Sequence, residues 1–234
     1  MRLFFSFLMV TSLFACTSSS KLSNKNEGVL LEDENSITYL ALGDSYTIGE
    51  MITAEQSFPF QLTKKINKNS EIKISKPTII AKTGWRTDEL LDSMRKVEEQ
   101  YDLVSVLIGA NNQRQGKDFG QFIAEFKLIL EKAISLSKNG AESIFVYSIP
   151  DYSIMPFLRG KDHDKIASEI KQYNSICKDV AQSLNIVFYD NTPISQKAQF
   201  DSSLVADDKL HPSGRMYNFW INDTFKNIIS DQLK

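Results

Sequence analysis

Histidine is almost absent from this chain of 234 residues, which carries only His163 and His211. A multi-histidine metal centre is therefore excluded, and any histidine chemistry must use one of these two. Cysteine is as scarce, and Cys16 and Cys177 lie far outside metal-ligand spacing. No cofactor or metal is implied. No run of lysine and arginine forms a stripe that would neutralise phosphates, and the net charge is −2 with a pI of about 5.8. Nucleic acid is therefore not expected as a partner. Neither an internal repeat nor a second-domain linker is visible. What is present is the balance of a globular domain, 42% hydrophobic and 24% charged residues, in a length that fits one α/β core with extra segments at its ends.

The first sixteen residues, MRLFFSFLMVTSLFAC, set a cationic Arg2 before an uncharged apolar run from Leu3 to Ala15 and then Cys16. This is signal-peptide anatomy. As a helix the run would reach ~20 Å, short of a bilayer core of ~30 Å, so a stable membrane span is a poor reading. The tetrapeptide Leu13-Phe14-Ala15-Cys16 resembles the lipobox of bacterial lipoproteins. That resemblance implies a signal peptide over 1–15, a mature chain lipidated at Cys16, and a place in the bacterial cell envelope. Thr17 stands where an aspartate would retain the protein at the inner membrane, which favours the outer membrane, facing periplasm or surface. An ordinary secreted protein with a cysteine near its cleavage site is the alternative. Residues 16–36 are mostly polar and read as a tether, leaving 37–234 as the folded domain, expected to be a monomer. Cys177 falls on an apolar helical stripe with Ile166, Ile170, Tyr173 and Leu184 and reads as a buried thiol.

From Ile37 onward, short runs rich in valine and isoleucine alternate with amphipathic stretches. Strands are predicted over Ile37–Leu42, Ile72–Ala81 with a break near Pro77, Leu103–Ile108, Ser143–Ser148 and Ile186–Tyr189. Helices are predicted through Leu90–Val97, Phe119–Leu136, His163–Leu184 and from Tyr217 to the C-terminus. The alternation predicts an α/β fold in three layers, a mostly parallel five-stranded sheet between helices. In such sheets ligands bind beyond the carboxyl ends of the strands. The loops there read GDSYTIGE, KTGWRTDE, GANNQRQG and IPDYSIMPFLRGKD, and a fifth, LVADDKLHPSGRMY, precedes the last helix. Each carries glycines, amides or hydroxyls that a plain connection does not need.

Ester hydrolysis requires a nucleophile, a base, a group that orients the base, and donors for the developing oxyanion. Ser45, at the end of the first strand, supplies a nucleophile and a backbone N–H. His211 supplies a base, and Asp208, three residues earlier in a turn, can reach its Nδ1–H. The Gly84 amide and the Asn111 side chain are the natural further donors, the first because glycine lets backbone approach closely, the second because an amide donates without adding charge. Other readings stand beside these: Ser45 as a helix N-cap, Asp207 in place of Asp208, Asn111 as a turn residue, and His163 in the charged start of a helix.

Gly-Asp-Ser at 43–45, Gly84, Gly-Ala-Asn-Asn at 109–112 and Asp-Lys-Leu-His-Pro at 208–212 resemble, in order, the four sequence blocks of the SGNH hydrolases, also called GDSL esterases/lipases. The resemblance runs from about Ile37 to the C-terminal helix. It implies a flavodoxin-like three-layer fold with Ser45 as nucleophile, Asp208 and His211 completing the triad, and Ser45, Gly84 and Asn111 forming the oxyanion hole. Two positions depart from the pattern: Asn112 replaces an aspartate, and Tyr46 a leucine. α/β-Hydrolases are excluded, since Thr47 occupies the second glycine of their Gly-x-Ser-x-Gly turn. Tyr46, Trp85, Asn112, Tyr152 and Phe157 are candidates for the substrate pocket, with Met155 offered to an apolar chain and Arg159 to an anionic group. The expected function is that of a serine esterase or acylhydrolase acting through an acyl-enzyme, lysophospholipase- or lipase-like by the resemblance. A carbohydrate O-acetyl esterase of the same fold is the alternative, and a non-catalytic envelope binding lipoprotein the alternative of another class.

Overall fold

The computed structural model describes residues 36–233. The expected signal peptide, the lipidation site Cys16 and all but the last residue of the expected tether lie outside them. Five strands, β1 Tyr39–Gly43, β2 Thr78–Ala81, β3 Leu103–Leu107, β4 Ile144–Tyr147 and β5 Val187–Tyr189, form one sheet in the order β2-β1-β3-β4-β5. All four pairings are parallel, where the sequence implied a mostly parallel sheet. β1, β3 and β4 are buried along their whole length, which is why they read as continuous apolar runs, while the edge strands β2 and β5 are largely half-buried. The predicted strand over 72–81 contracts to Thr78–Ala81, and before Pro77 only Ile74 pairs, in a single bridge to Ile37.

The helices are α1 Ser45–Ile48, α2 Phe58–Asn69, α3 Thr87–Met94, α4 Ala110–Arg114, α5 Phe119–Leu136, α6 His163–Ser183, α7 Thr192–Ser195 and α8 Gly214–Gln232. α2 packs on α8 in one outer layer, and α3, α5 and α6 pack in succession in the other. α2 was not predicted. Its buried stripe is Phe58, Leu62 and Ile66, four residues apart, and Pro59 in the first turn pre-sets the helical backbone. Trp220 of α8 meets Tyr217 edge-on at 4.8 Å and Tyr147 of β4 at 6.0 Å, so aromatic area fills the core on that side. Cys177 is buried on α6, as its stripe implies.

Two glycines bring the loops of Ser45 and Asn111 together. A Cβ on Gly43 would stand 2.2 Å from both Leu107 O and Thr47 Oγ1, so the end of β1 can approach β3 this closely only without a side chain. Gly109 starts α4 at φ 123°, a conformation that side-chain-bearing residues rarely adopt, and a Cβ there would also press Ile149 and Phe122. β1 and β3 are the neighbours at which the strand order reverses in this topology. Ser45 and Asn111 follow them.

Candidate active site

Ser45 opens α1 directly beyond β1. Its neighbour Asp44 caps the helix, accepting Tyr46 N–H at 2.9 Å through Oδ1. Ser45 N–H, in contrast, donates to no acceptor among the described residues, and neither does Gly84 N–H on the loop after β2. His211 reaches Ser45 from the fifth loop. Its Nε2 lies 3.0 Å from Ser45 Oγ, and its Nδ1 lies 2.5 Å from Asp208 Oδ2. A carboxylate can only accept, so Nδ1 carries the proton and the Nε2 lone pair faces the serine hydroxyl. The turn between the two residues is tight because Lys209 takes φ 64°. Asp208 Oδ1 accepts Leu210 N–H and His211 N–H, each at 3.0 Å, which fixes the carboxylate beneath the ring.

Partial burial works to raise the Asp208 pKa, but the bonds from the His211 ring, His211 N–H and Leu210 N–H together outweigh it and hold the carboxyl below its ordinary value. Such a depressed group stabilises the fold above its unfolded pKa, and that contribution is lost as pH falls through the folded value. Tyr46, in the place of the leucine that the resemblance implies, is 4% exposed and packs on the imidazole with ring centroids 5.4 Å apart. Tyr217 of α8 donates to Tyr46 O at 2.9 Å. The His211 ring is thus held between Asp208 and an aromatic wall, itself tied to the last helix.

Asn111, in the first turn of α4, donates from Nδ2 to Trp85 O at 3.0 Å and, at the limit of a hydrogen bond, to Asp44 Oδ2 at 3.5 Å. It therefore joins the β2 and β3 loops to the loop that carries Ser45. Asn112 points elsewhere. Its Oδ1 accepts Thr87 N–H at 3.1 Å and its Nδ2 donates to Thr87 Oγ1 at 2.7 Å, so the amide in the place of an aspartate clamps the start of α3. Thr87 in turn donates to Glu125 of α5.

The five residues expected in the substrate pocket divide accordingly. Asn112 and Tyr152 are 2% and 1% exposed and are spent on internal bonds, Tyr152 donating to Ala110 O at 3.3 Å and to Gln113. Within the loop layer Tyr152 supports the start of α4, and Asn112 ties α4 to the start of α3. Trp85 is half-buried and supplies the carbonyl that holds Asn111. Phe157 is 54% exposed, and its N–H donates to Lys209 O at 3.0 Å, so the loop after β4 is tied to the turn that carries Asp208 and His211. Asp207 is exposed, and His163 sits at the start of α6 against Ser153 O, outside the site.

Besides capping α1, Asp44 is fully buried, and its depth gives it a further property. Burial pushes its carboxyl up to about 7, against the opposing pull of Tyr46 N–H and the positive charge of Arg114. An acid with a raised folded pKa favours the folded state at low pH and loses that contribution as pH rises through the folded value. Wild-type stability should fall between pH ~4 and ~7 by up to roughly 4 kcal/mol from this group. In Asp44→Asn, which keeps an acceptor for Tyr46 N–H, that decline should vanish. Denaturant midpoints taken across this range for both proteins decide it, and parallel curves would refute the assignment.

A family model described as GDSL-like lipase/acylhydrolase matches residues 41–219. No curated protein matches by sequence. Solved structures of similar shape include the lipase Lip_vut3 from a goat rumen metagenome, at a TM-score of 0.67 and 18% identity over 85% of this chain and 100% of that one. A lipase/acylhydrolase from Enterococcus faecalis gives 0.65 and 18% over 83% and 96%. Axe2, an acetylxylan esterase from Geobacillus stearothermophilus, gives 0.65 and 18% over 82% and 94%. At these identities the likeness is one of fold.

Proposed function

The chain belongs to the GDSL-like lipase/acylhydrolase family and is an ester-cleaving serine hydrolase, and from that premise we propose that it works through an acyl-enzyme on Ser45. The observation that carries this reading is the line of contacts from Ser45 Oγ through the His211 ring to Asp208 Oδ2, 3.0 Å and 2.5 Å long. Ser45 Oγ attacks the ester carbonyl while His211 Nε2 takes its proton, and Asp208 stabilises the imidazolium that forms. The carbonyl oxygen, now negative, is received by Ser45 N–H, Gly84 N–H and Asn111 Nδ2. The tetrahedral intermediate collapses, the alcohol departs with the proton from His211, and a water activated by the same base releases the acid.

The substrate, in this proposal, is a lysophospholipid or another acyl ester of lipid kind. The exposed ring of Phe157, on the loop bound to Lys209 beside the triad, supports an apolar acyl contact. The shape shared with an acetylxylan esterase supports a second reading, a carbohydrate O-acetyl ester. Hydrolysis of p-nitrophenyl esters from acetyl to palmitoyl, by wild type beside Ser45→Ala, tests both. Activity confined to wild type supports the acyl-enzyme, and the chain-length optimum separates the two substrates. Equal traces from both proteins, with no fluorophosphonate labelling of folded wild type, would refute the proposal.

The proposal extends to location: a monomer held at the bacterial outer membrane through lipidated Cys16, supported by the Leu13–Cys16 tetrapeptide. Mass spectrometry of the mature N-terminus should find a diacylglyceryl cysteine there. An unmodified start at another residue would overturn the anchor.

A further inference from the structure

Arg114 ends α4, one helical turn beyond Asn111, so the two residues share a face of that helix. It is exposed, and among the described residues no carboxylate lies within ion-pair distance of its guanidinium. Its charge still reaches inward. Burial raises Asp44, Tyr46 and Tyr152, and in each case the Arg114 charge pulls the other way. Asp44 and Tyr46 flank Ser45 in the chain, and Tyr152 bonds Ala110 O at the start of α4.

On its other side, Arg114 borders a groove of about 600 Å³ between the end of α4 and the first turns of α6. Lys117, Lys161 and Lys165 line this groove with it, facing two acids, Asp162 and Glu169. Both acids have work already. Asp162 caps α6, accepting Lys165 N–H at 3.0 Å. Glu169 accepts Gln113 Nε2 and stands 3.9 Å from Lys165 Nζ. The charges of Arg114, Lys117 and Lys161 are left without a partner in the groove, in a protein whose net charge is −2. An arginine in such a place contributes little to folding, and its planar fork matches the oxygens of a phosphate or a carboxylate.

We infer that this groove receives an anionic group, a phosphate or a carboxylate, carried by the ester substrate, and that Arg114, which lines the groove three residues beyond Asn111 on α4, is the residue that selects for it. The inference rests on the esterase reading above. Selectivity is the ratio of kcat/KM for an anionic ester to that for its uncharged counterpart. A phosphate arm compares a butyryl ester of glycerol phosphate with monobutyrylglycerol, and a carboxylate arm compares monoacetylated glucuronic acid with monoacetylated glucose. Wild type should favour the anionic member of at least one pair, less so as salt is raised. Arg114→Gln should lower that ratio about tenfold and Arg114→Lys should keep part of it. A response in the phosphate arm alone assigns a phosphate ester, and one in the carboxylate arm alone an acidic sugar. A general loss of fold or activity would depress both members of a pair and leave the ratio unmoved. A ratio equal in wild type and Arg114→Gln in both arms, with the uncharged esters still cleaved, overturns this inference alone. No cleavage of any of the four esters and no fluorophosphonate labelling of folded protein would overturn the esterase reading with it.

Discussion

Replacing His211 by alanine should lower kcat on any ester the enzyme cleaves by roughly 10⁴- to 10⁶-fold, and Ser45→Ala should cost as much. The magnitude follows from the contact of 3.0 Å between His211 Nε2 and Ser45 Oγ. An unassisted serine hydroxyl is a poor nucleophile at neutral pH, so the base and the nucleophile act as one unit. Their effects should therefore not add. The double variant Ser45→Ala/His211→Ala should retain the same residual rate as either single variant, since the oxyanion donors are untouched in all three. Asp208→Asn should fall short of these losses, near 10⁴-fold, because an amide at Oδ2 can present a donor to Nδ1 and impose the wrong tautomer. Single-turnover kinetics on a p-nitrophenyl ester, with the fold of each variant checked by its near-ultraviolet circular dichroism, give the comparison. Single losses that multiply in the double variant would show that Ser45 and His211 act independently, and the triad reading would fail.

The sheet was legible because a fully buried parallel strand leaves a strong mark: β1, β3 and β4 are unbroken apolar runs and were found within a residue or two of their ends. α2 left a weaker one. Its apolar residues Phe58, Leu62 and Ile66 make a narrow stripe among lysines and asparagines, and only packing on α8 makes the stripe decisive. The chemistry-bearing residues could be named because each sits on a loop where its type is chemically conspicuous. Their neighbours could not be sorted in the same way. Whether Tyr152 lines a pocket or supports α4, and whether Asp44 is ionised, depend on which loops cover them, a property of the assembled layer that local pattern does not encode. Arg114 had one usable signal, its spacing of three from Asn111. The absence of an ion-pair partner became visible only in three dimensions.

The second large effect should come from Asn111. Removing one oxyanion donor in a water-poor site costs ~10²–10³ in kcat, or about 2.7–4 kcal/mol of transition-state stabilisation. Asn111 Nδ2 has two hydrogens. One is held by Trp85 O at 3.0 Å, and the other meets Asp44 Oδ2 only at 3.5 Å, too long for a strong bond, so it is the one free to turn to an oxyanion. Asn111→Ala should therefore lower kcat within that range with KM changed little, because the ground-state carbonyl gains less from the donor than the oxyanion does. The same variant releases Trp85 O, so a modest loss of stability is expected alongside. Affinity for a boronic acid, which becomes tetrahedral and anionic on Ser45, separates the two effects: it should weaken by the same factor as kcat. A variant that melts earlier yet binds the boronate as tightly as wild type would reduce Asn111 to a tie between loops and leave Ser45 N–H and Gly84 N–H as the whole of the oxyanion hole.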